Sequence, residues 1–221
     1  FNQGEDGAAI ADLDRALQID PAYLDARLLT LQHLLTAGER KRAREFADAS
    51  RKLYPGDPGP LKYLADVFFQ EGSLDDAIDY YREVTTMVEH APYTYLALGR
   101  SYQQQEKYDL AVDAFRRAID LEPALEELHV NLSYCYGRLD KLDLAVEHLE
   151  TYLKARPRDL SALNNAALLY EQAGNFRQAN ITWLKVKEAA DGKDGGDYRR
   201  RAEEHLQRLL TAEEENEETR K

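Results

Sequence analysis

The side chains that could carry out chemistry are few and widely spaced. Histidines occur at His33, His90, His129, His148 and His205. No two of them have the spacing with which one helix presents two metal ligands. An aspartate-rich stretch from Asp191 to Asp197 offers oxygen atoms, but position 12 of a calcium loop begun at Asp191 falls on Ala202. These residues therefore predict no metal site.

The chain has one candidate nucleophile, Cys135, and a lone cysteine excludes an intrachain disulfide. Cys135 lies six residues from His129, which is not the spacing of a reactive pair on one helix, so we predict a packed thiol. No phosphate-binding glycine-rich loop or strained nucleophile turn occurs in the sequence. These observations predict a protein that is not an enzyme and holds no cofactor.

Composition narrows the choice of partners. The 221 residues include 29 Lys and Arg against 41 Asp and Glu, for a net charge of -12. Nucleic acid binding requires clustered basic residues, and anionic lipid attracts the same residues, so the charge disfavours both partners. No stretch approaches the roughly 18 apolar residues that cross a bilayer, so we predict no membrane insertion.

A repeat of 34 residues organises the whole chain. One column of the repeat is alanine throughout: Ala9, Ala43, Ala77, Ala111, Ala145 and Ala179. A second column contains Gly4, Gly38, Gly72 and Gly174, with Glu106 and Asp140 in the other two periods. A third contains Pro21, Pro55, Pro123 and Pro157. Such regularity indicates a stack of identical structural units.

Each period contains two helices. Tyr95, Leu98 and Tyr102 lie three or four residues apart, which places them on one helix face. After a break near Gln105, Ala111 and Phe115 follow the same spacing. Two helices that approach closely require a small residue at their contact, and the alanine column supplies it. Glycine suits the left-handed position that ends a helix.

These columns resemble the tetratricopeptide repeat (TPR), most fully in the segment from Tyr95 to Pro123. The resemblance implies an all-α fold, a right-handed α-solenoid of helix-turn-helix repeats with a C-terminal capping helix. The implied organisation is a partial first repeat at residues 1–23, five complete repeats at 24–57, 58–91, 92–125, 126–159 and 160–193, a capping helix at 194–211, and a disordered acidic tail at 212–221.

In this family the first helices line a concave face that contacts ligands. Carried onto this sequence, the resemblance implies a peptide-binding groove lined by Lys62, Tyr63, Asp66, Phe69, Tyr93, Arg100, Gln103, Asn131, Tyr134, Arg138, Asn164, Asn165, Leu168 and Gln172. Asn131 and Asn165 are one period apart, and their amides can both donate to and accept from a peptide backbone. Aromatic side chains such as Tyr134 add rigid contact area.

The leading functional prediction is a non-catalytic scaffold that binds an extended segment of a partner protein in this groove. One alternative is self-association, because a partial first repeat would leave apolar residues such as Leu13 open. Another is an adaptor region of a longer enzyme, since the chain lacks an initiator methionine and the first repeat is incomplete. The residues do not fix the localisation: the cytoplasm is favoured, and the alternative is a bacterial protein that is periplasmic or membrane-anchored through a segment upstream of Phe1.

Overall fold

A computed structural model of the chain describes residues 3–190 and 195–219, with side chains described for 10–190 and 195–211. This part of the chain contains twelve α-helices and no β-strand. They are α1 (Gln3–Ile19), α2 (Leu24–Thr36), α3 (Arg40–Leu53), α4 (Pro58–Glu71), α5 (Leu74–Met87), α6 (Pro92–Gln104), α7 (Tyr108–Leu121), α8 (Leu128–Arg138), α9 (Leu142–Ala155), α10 (Leu160–Gln172), α11 (Phe176–Ala189) and α12 (Gly196–Thr219).

The helices fall into two compact units. The first, Phe1–Glu122, contains α1 to α7, and the second, Pro123–Lys221, contains α8 to α12. Within each unit successive helices pack as antiparallel neighbours joined by short turns, such as α6 with α7 and α10 with α11. The structure thus contains the helix pairs that the 34-residue period predicts.

Small residues let the two helices of each pair approach closely. The alanines at 43, 77, 111, 145 and 179 are all completely buried. A large side chain from the same second helix fills the space beside them, as Tyr81, Phe115 and Trp183 do at no more than 1% exposure. The predicted packing role of the alanine column is confirmed.

Left-handed residues end the first helices of the repeats. Gly38, Gly72 and Gly174 have φ of 73°, 82° and 72°, which confirms the predicted role of the glycine column at these positions. Glu106 and Asp140 occupy the same column with φ of 59° and 57°. Their side chains make this conformation costly, because a Cβ atom crowds the carbonyl oxygen.

Replacing Glu106 by glycine should raise the free energy of unfolding by about 1 kcal/mol. Relief of the left-handed strain exceeds the entropy that glycine adds to the unfolded chain. Urea unfolding followed by circular dichroism measures the change. Gln104→Gly, at the end of α6, should destabilise instead, and equal effects of the two variants would contradict this account of the turn.

Helix α12 is held to the last repeat by a cluster around Glu171. The Trp183 indole N–H donates to Glu171 Oε1 at 2.6 Å, and His205 Nδ1 lies 2.8 Å from the same oxygen. The Trp183 and His205 rings also stack, with centroids 4.4 Å apart. Side chains of α10, α11 and α12 therefore meet in one partly buried network.

The end of α12 differs from the sequence prediction. Residues 212–219, predicted to be disordered, continue α12 to Thr219. Glutamate and alanine are good helix formers, and extending an existing helix avoids the cost of nucleation, so no apolar contact is needed. Residues 220–221 of the predicted tail and residues 191–194 of the glycine-rich break lie outside the described residues.

Candidate functional site

A cavity opens beside the first helices of the second unit. It has a volume of about 740 Å³ and lies against α8, α9 and α10. Its lining residues are Val130, Ser133, Tyr134, Gly137, Arg138, Asp140, Leu149, Asn165, Leu168, Leu169 and Gln172. Five predicted site residues are brought together here: Tyr134, Arg138, Asn165, Leu168 and Gln172.

The cavity combines apolar walls with a polar rim. Tyr134 is 47% exposed and Leu168 is 38% exposed. The Tyr134 ring and the Leu168 side chain are large apolar groups that the fold leaves accessible. Arg138 Nη1 donates to the Tyr134 hydroxyl at 3.2 Å, which joins the ring to the rim. Asn165 and Gln172 are exposed on α10. The arrangement can accept an apolar side chain and offer amide groups to the backbone beside it.

Asn164 does not belong to this open surface, contrary to the sequence prediction. It is only 4% exposed. Its Nδ2 donates to Asn165 Oδ1 at 3.3 Å, and its Oδ1 accepts from Arg201 of α12 at 3.3 Å. A prediction from the 34-residue period assigns the same exposure to equivalent positions of every repeat. The last repeat is different, because α12, a helix outside the period, covers it. Asn131 is half-buried and is not among the residues lining the cavity.

In the first unit, Asp66 of α4 forms a side-chain hydrogen bond to α5. Its carboxylate accepts from Lys62 Nζ at 2.8 Å and from the Tyr81 hydroxyl at 2.6 Å. Burial, and then the charge of Asp66, raise the pKa of Tyr81, so this hydroxyl remains a donor. Lys62 also lies 5.0 Å from the centre of the Tyr63 ring. Burial raises the pKa of Tyr63, although the nearby charge of Lys62 acts to lower it.

The other predicted residues of the first unit lie on α4 and α6. Tyr93 is 61% exposed and borders a cavity of about 260 Å³ that also includes Lys62. Arg100 is exposed, and Gln103 is half-buried. Phe69 packs on the core of this unit. The first unit thus presents one exposed aromatic ring of the predicted set, beside a pocket large enough for a single side chain.

A histidine pair was missed by the sequence prediction. His129 Nδ1 of α8 lies 2.8 Å from His148 Nδ1 of α9. The Tyr136 ring stacks on His148, with centroids 5.3 Å apart. Burial lowers the pKa of His129, and the charge of Glu126 opposes the effect. The two histidines are 19 residues apart on different helices, so the spacing within one helix could not reveal them.

The second unit should lose stability as the pH falls below about 6.5, the ordinary pKa of histidine. Because the folded-state pKa of His129 lies below that value, the unfolded chain takes up the proton first. Stability is therefore fully present at higher pH and declines as the pH falls through the unfolded-state value. Urea midpoints from pH 8 to pH 5 measure this decline.

The variant His129→Gln should flatten that decline in stability. His33→Gln, which removes a histidine from α2, is the matched control and should leave the decline unchanged. An identical pH dependence of stability in the parent and in His129→Gln would show that protonation of His129 does not cause the decline.

Cys135 is completely buried, and burial raises the pKa of its thiol to about 11. The complete burial of Cys135 confirms the prediction of a packed thiol. Among the described residues, no group of three or more His, Cys, Asp or Glu side chains could hold a metal ion. No helix in that part of the chain combines the length and apolar character needed to span a membrane.

Comparisons with known proteins agree with this architecture. A tetratricopeptide repeat model matches residues 92–125, and a second one matches residues 1–58 and 131–192. The chain belongs to the tetratricopeptide repeat family. A search of curated protein sequences gives no match.

Several solved structures have a similar fold. YrrB, described as "a TPR protein with an unusual peptide-binding site", is 18% identical, with a TM-score of 0.71 over 87% of this chain and 97% of YrrB. A MamA structure is 21% identical, with a TM-score of 0.70 over 78% and 94%. MamA from Desulfovibrio magneticus RS-1 is 14% identical, with a TM-score of 0.64 over 87% and 96%. The predicted class, an all-α solenoid of TPR repeats, is confirmed, and this is a fold of protein-interaction scaffolds.

Proposed function

We propose that this chain is a non-catalytic scaffold that binds an extended segment of a partner protein along its first helices. The observation that supports this proposal is the cavity of about 740 Å³ beside α8 and α10. Its volume falls within the range of about 300–1,000 Å³ that ligand sites occupy. The exposure of Tyr134 and Leu168 at this cavity leaves apolar area for a partner to cover.

The chemistry of the rim favours an extended segment. A peptide in extended form presents one N–H and one C=O at every residue, and the exposed amides of Asn165 and Gln172 can pair with either group. The Tyr134 ring and the Leu168 side chain then contact one apolar side chain of the peptide. Arg138 and Asp140 both border the cavity, so neither sign of charge dominates there.

Removing the three contact groups together should weaken peptide binding strongly. For Tyr134→Ala, Asn165→Ala and Leu168→Ala combined, we expect a Kd increase of about 30-fold or more, because central contacts carry most of the binding free energy. Peptides are first selected on the parent chain from a random library displayed on phage. Their Kd values are then measured by fluorescence polarisation for the parent and the variant.

The matched control is Leu110→Ala, which removes an exposed leucine, 46% exposed, from α7 in the other unit. It should leave the Kd unchanged. Circular dichroism must show equal helicity for all three proteins. If the selected peptides bind the triple variant and the parent with the same Kd, they bind at another surface and the proposal is contradicted.

Self-association is the second candidate function, and a specific surface favours it. A cavity of about 630 Å³ lies between α1 and α2 and is lined in part by Ile10, Leu13 and Leu29. Leu29 is 51% exposed, and Ile19 at the end of α1 is 80% exposed. A second copy could cover this area. Sedimentation equilibrium over a concentration series tests it, since a monomer at every concentration, or an oligomer unchanged by Leu29→Glu, would exclude this surface.

A further inference from the structure

The outer face of α11 breaks the pattern of the other second helices. At the position of Ile181, helices α3, α5, α7 and α9 have Glu45, Asp79, Asp113 and Glu147. At the position of Leu184 the same helices have Asp48, Arg82, Arg116 and Glu150. Two columns that are charged in four successive repeats are therefore apolar in the last one.

The structure leaves these apolar residues uncovered. Leu184 is 54% exposed and Ile181 is 40% exposed, and Phe176, two turns before Leu184, is 53% exposed. Together they form what we call the α11 patch. Its three side chains are not needed for the core, since the buried face of α11 is formed by Ala179, Trp183 and other residues. Ile181 and Leu184 are three residues apart and therefore neighbours on the helix surface. Adjacent exposed apolar side chains favour contact with another molecule.

The charged residues of α11 are mostly basic: they are Arg177, Lys185, Lys187 and Glu188. Arg177 and Lys185 lie one helical turn before and after Ile181, and both are exposed. At the position of Arg177, α5, α7 and α9 have Asp75, Asp109 and Asp143, whereas α3 has Lys41. Neither Arg177 nor Lys185 forms an ion pair with a described residue, whereas Lys187 pairs with Glu203 of α12 at 3.1 Å. With three basic residues and one acidic residue, α11 has a net charge of +2 in a chain of net charge -12.

We propose that the α11 patch docks an amphipathic helix of a partner protein whose apolar face is flanked by acidic residues. The patch lies on the surface of a 14-residue helix rather than in a deep pocket, and a second helix can cover such a surface by packing its own rows of side chains against it. Acidic flanks would meet Arg177 and Lys185. This surface is separate from the cavity beside α8 and α10, whose lining includes no residue of α11.

A fluorescent peptide of 14 residues, matched to α11 and held helical by a hydrocarbon staple, serves as the probe. It carries leucine on one face and glutamate on both flanks, and a counter-probe carries lysine in place of glutamate. The test variant combines Ile181→Glu and Leu184→Glu, which makes these positions identical to those of α9 and should therefore fold normally. A second variant, Arg177→Asp, restores the charge found in α5, α7 and α9.

We expect the parent to bind the acidic probe more tightly than the basic one, and the double variant to bind it at least about tenfold more weakly. Arg177→Asp should abolish the preference for the acidic probe. The triple variant at Tyr134, Asn165 and Leu168 should bind it as the parent does, which separates this inference from the proposed function.

Three results would overturn the proposal. They are the absence of binding of either probe to the parent, an equal Kd for the parent and the double variant, and a parent dimer that Ile181→Glu with Leu184→Glu converts to a monomer. The last result would show that a second copy covers the patch.

Discussion

Replacing Trp183 by alanine should lower the free energy of unfolding of the second unit by about 3–5 kcal/mol. Trp183 is the only tryptophan of the chain, and it is completely buried. Its removal leaves a large cavity in the core cluster that also contains Leu149, Leu163 and Val186. It also deprives Glu171 of a donor at 2.6 Å, so a carboxylate that is mostly buried loses one of its hydrogen bonds.

Hydrogen exchange is the appropriate measurement, because arrays of repeats can open locally rather than in one step. In Trp183→Ala, amides of α10, α11 and α12 should exchange much faster, and those of α4 and α5 should keep the protection of the parent. Trp183→Phe is the matched control, since it retains an aromatic ring but cannot donate to Glu171. It should lose much less stability, and an equal loss in both variants would show that the hydrogen bond, rather than the packed volume, dominates.

The helix pairs could be predicted from the sequence because each column has a single physical cause that recurs every 34 residues. Ala77 and Ala145 must be small wherever two helices touch, and both are completely buried. Gly72 must adopt a positive φ where a first helix ends. A requirement repeated in every period can be recognised from the sequence alone. The same period predicts that a first helix begins at Pro92, where α6 begins.

The site could be predicted only in part, because its exceptions depend on contacts outside the period. Asn164 is covered by Arg201 of α12, a helix with no counterpart in earlier repeats. His129 meets His148 because two helices of one repeat pack side by side, and neither column is histidine elsewhere. The α11 patch is different, since the loss of charge at Ile181 is visible in the columns. Only the structure shows that this residue remains exposed.

Replacing Gly99 by alanine should lower the free energy of unfolding of the first unit by about 2 kcal/mol, even though alanine is the better helix former. A Cβ atom at Gly99 would lie 2.5 Å from Cε1 and 2.6 Å from Cδ1 of Phe115. The Phe115 ring is completely buried and cannot move away without displacing its neighbours. Overpacking of this kind outweighs the gain of about 1 kcal/mol in helix propensity.

A double-mutant cycle tests that cause. The corresponding positions of the next repeat hold Ser133 and Leu149, which shows that a side chain at the first position is accommodated opposite leucine. Gly99→Ala with Phe115→Leu should therefore be more stable than the sum of the two single changes predicts, with a coupling of about 1–2 kcal/mol. Urea unfolding followed by circular dichroism gives the four free energies. Strictly additive effects would mean that the aromatic ring is not what requires glycine at position 99.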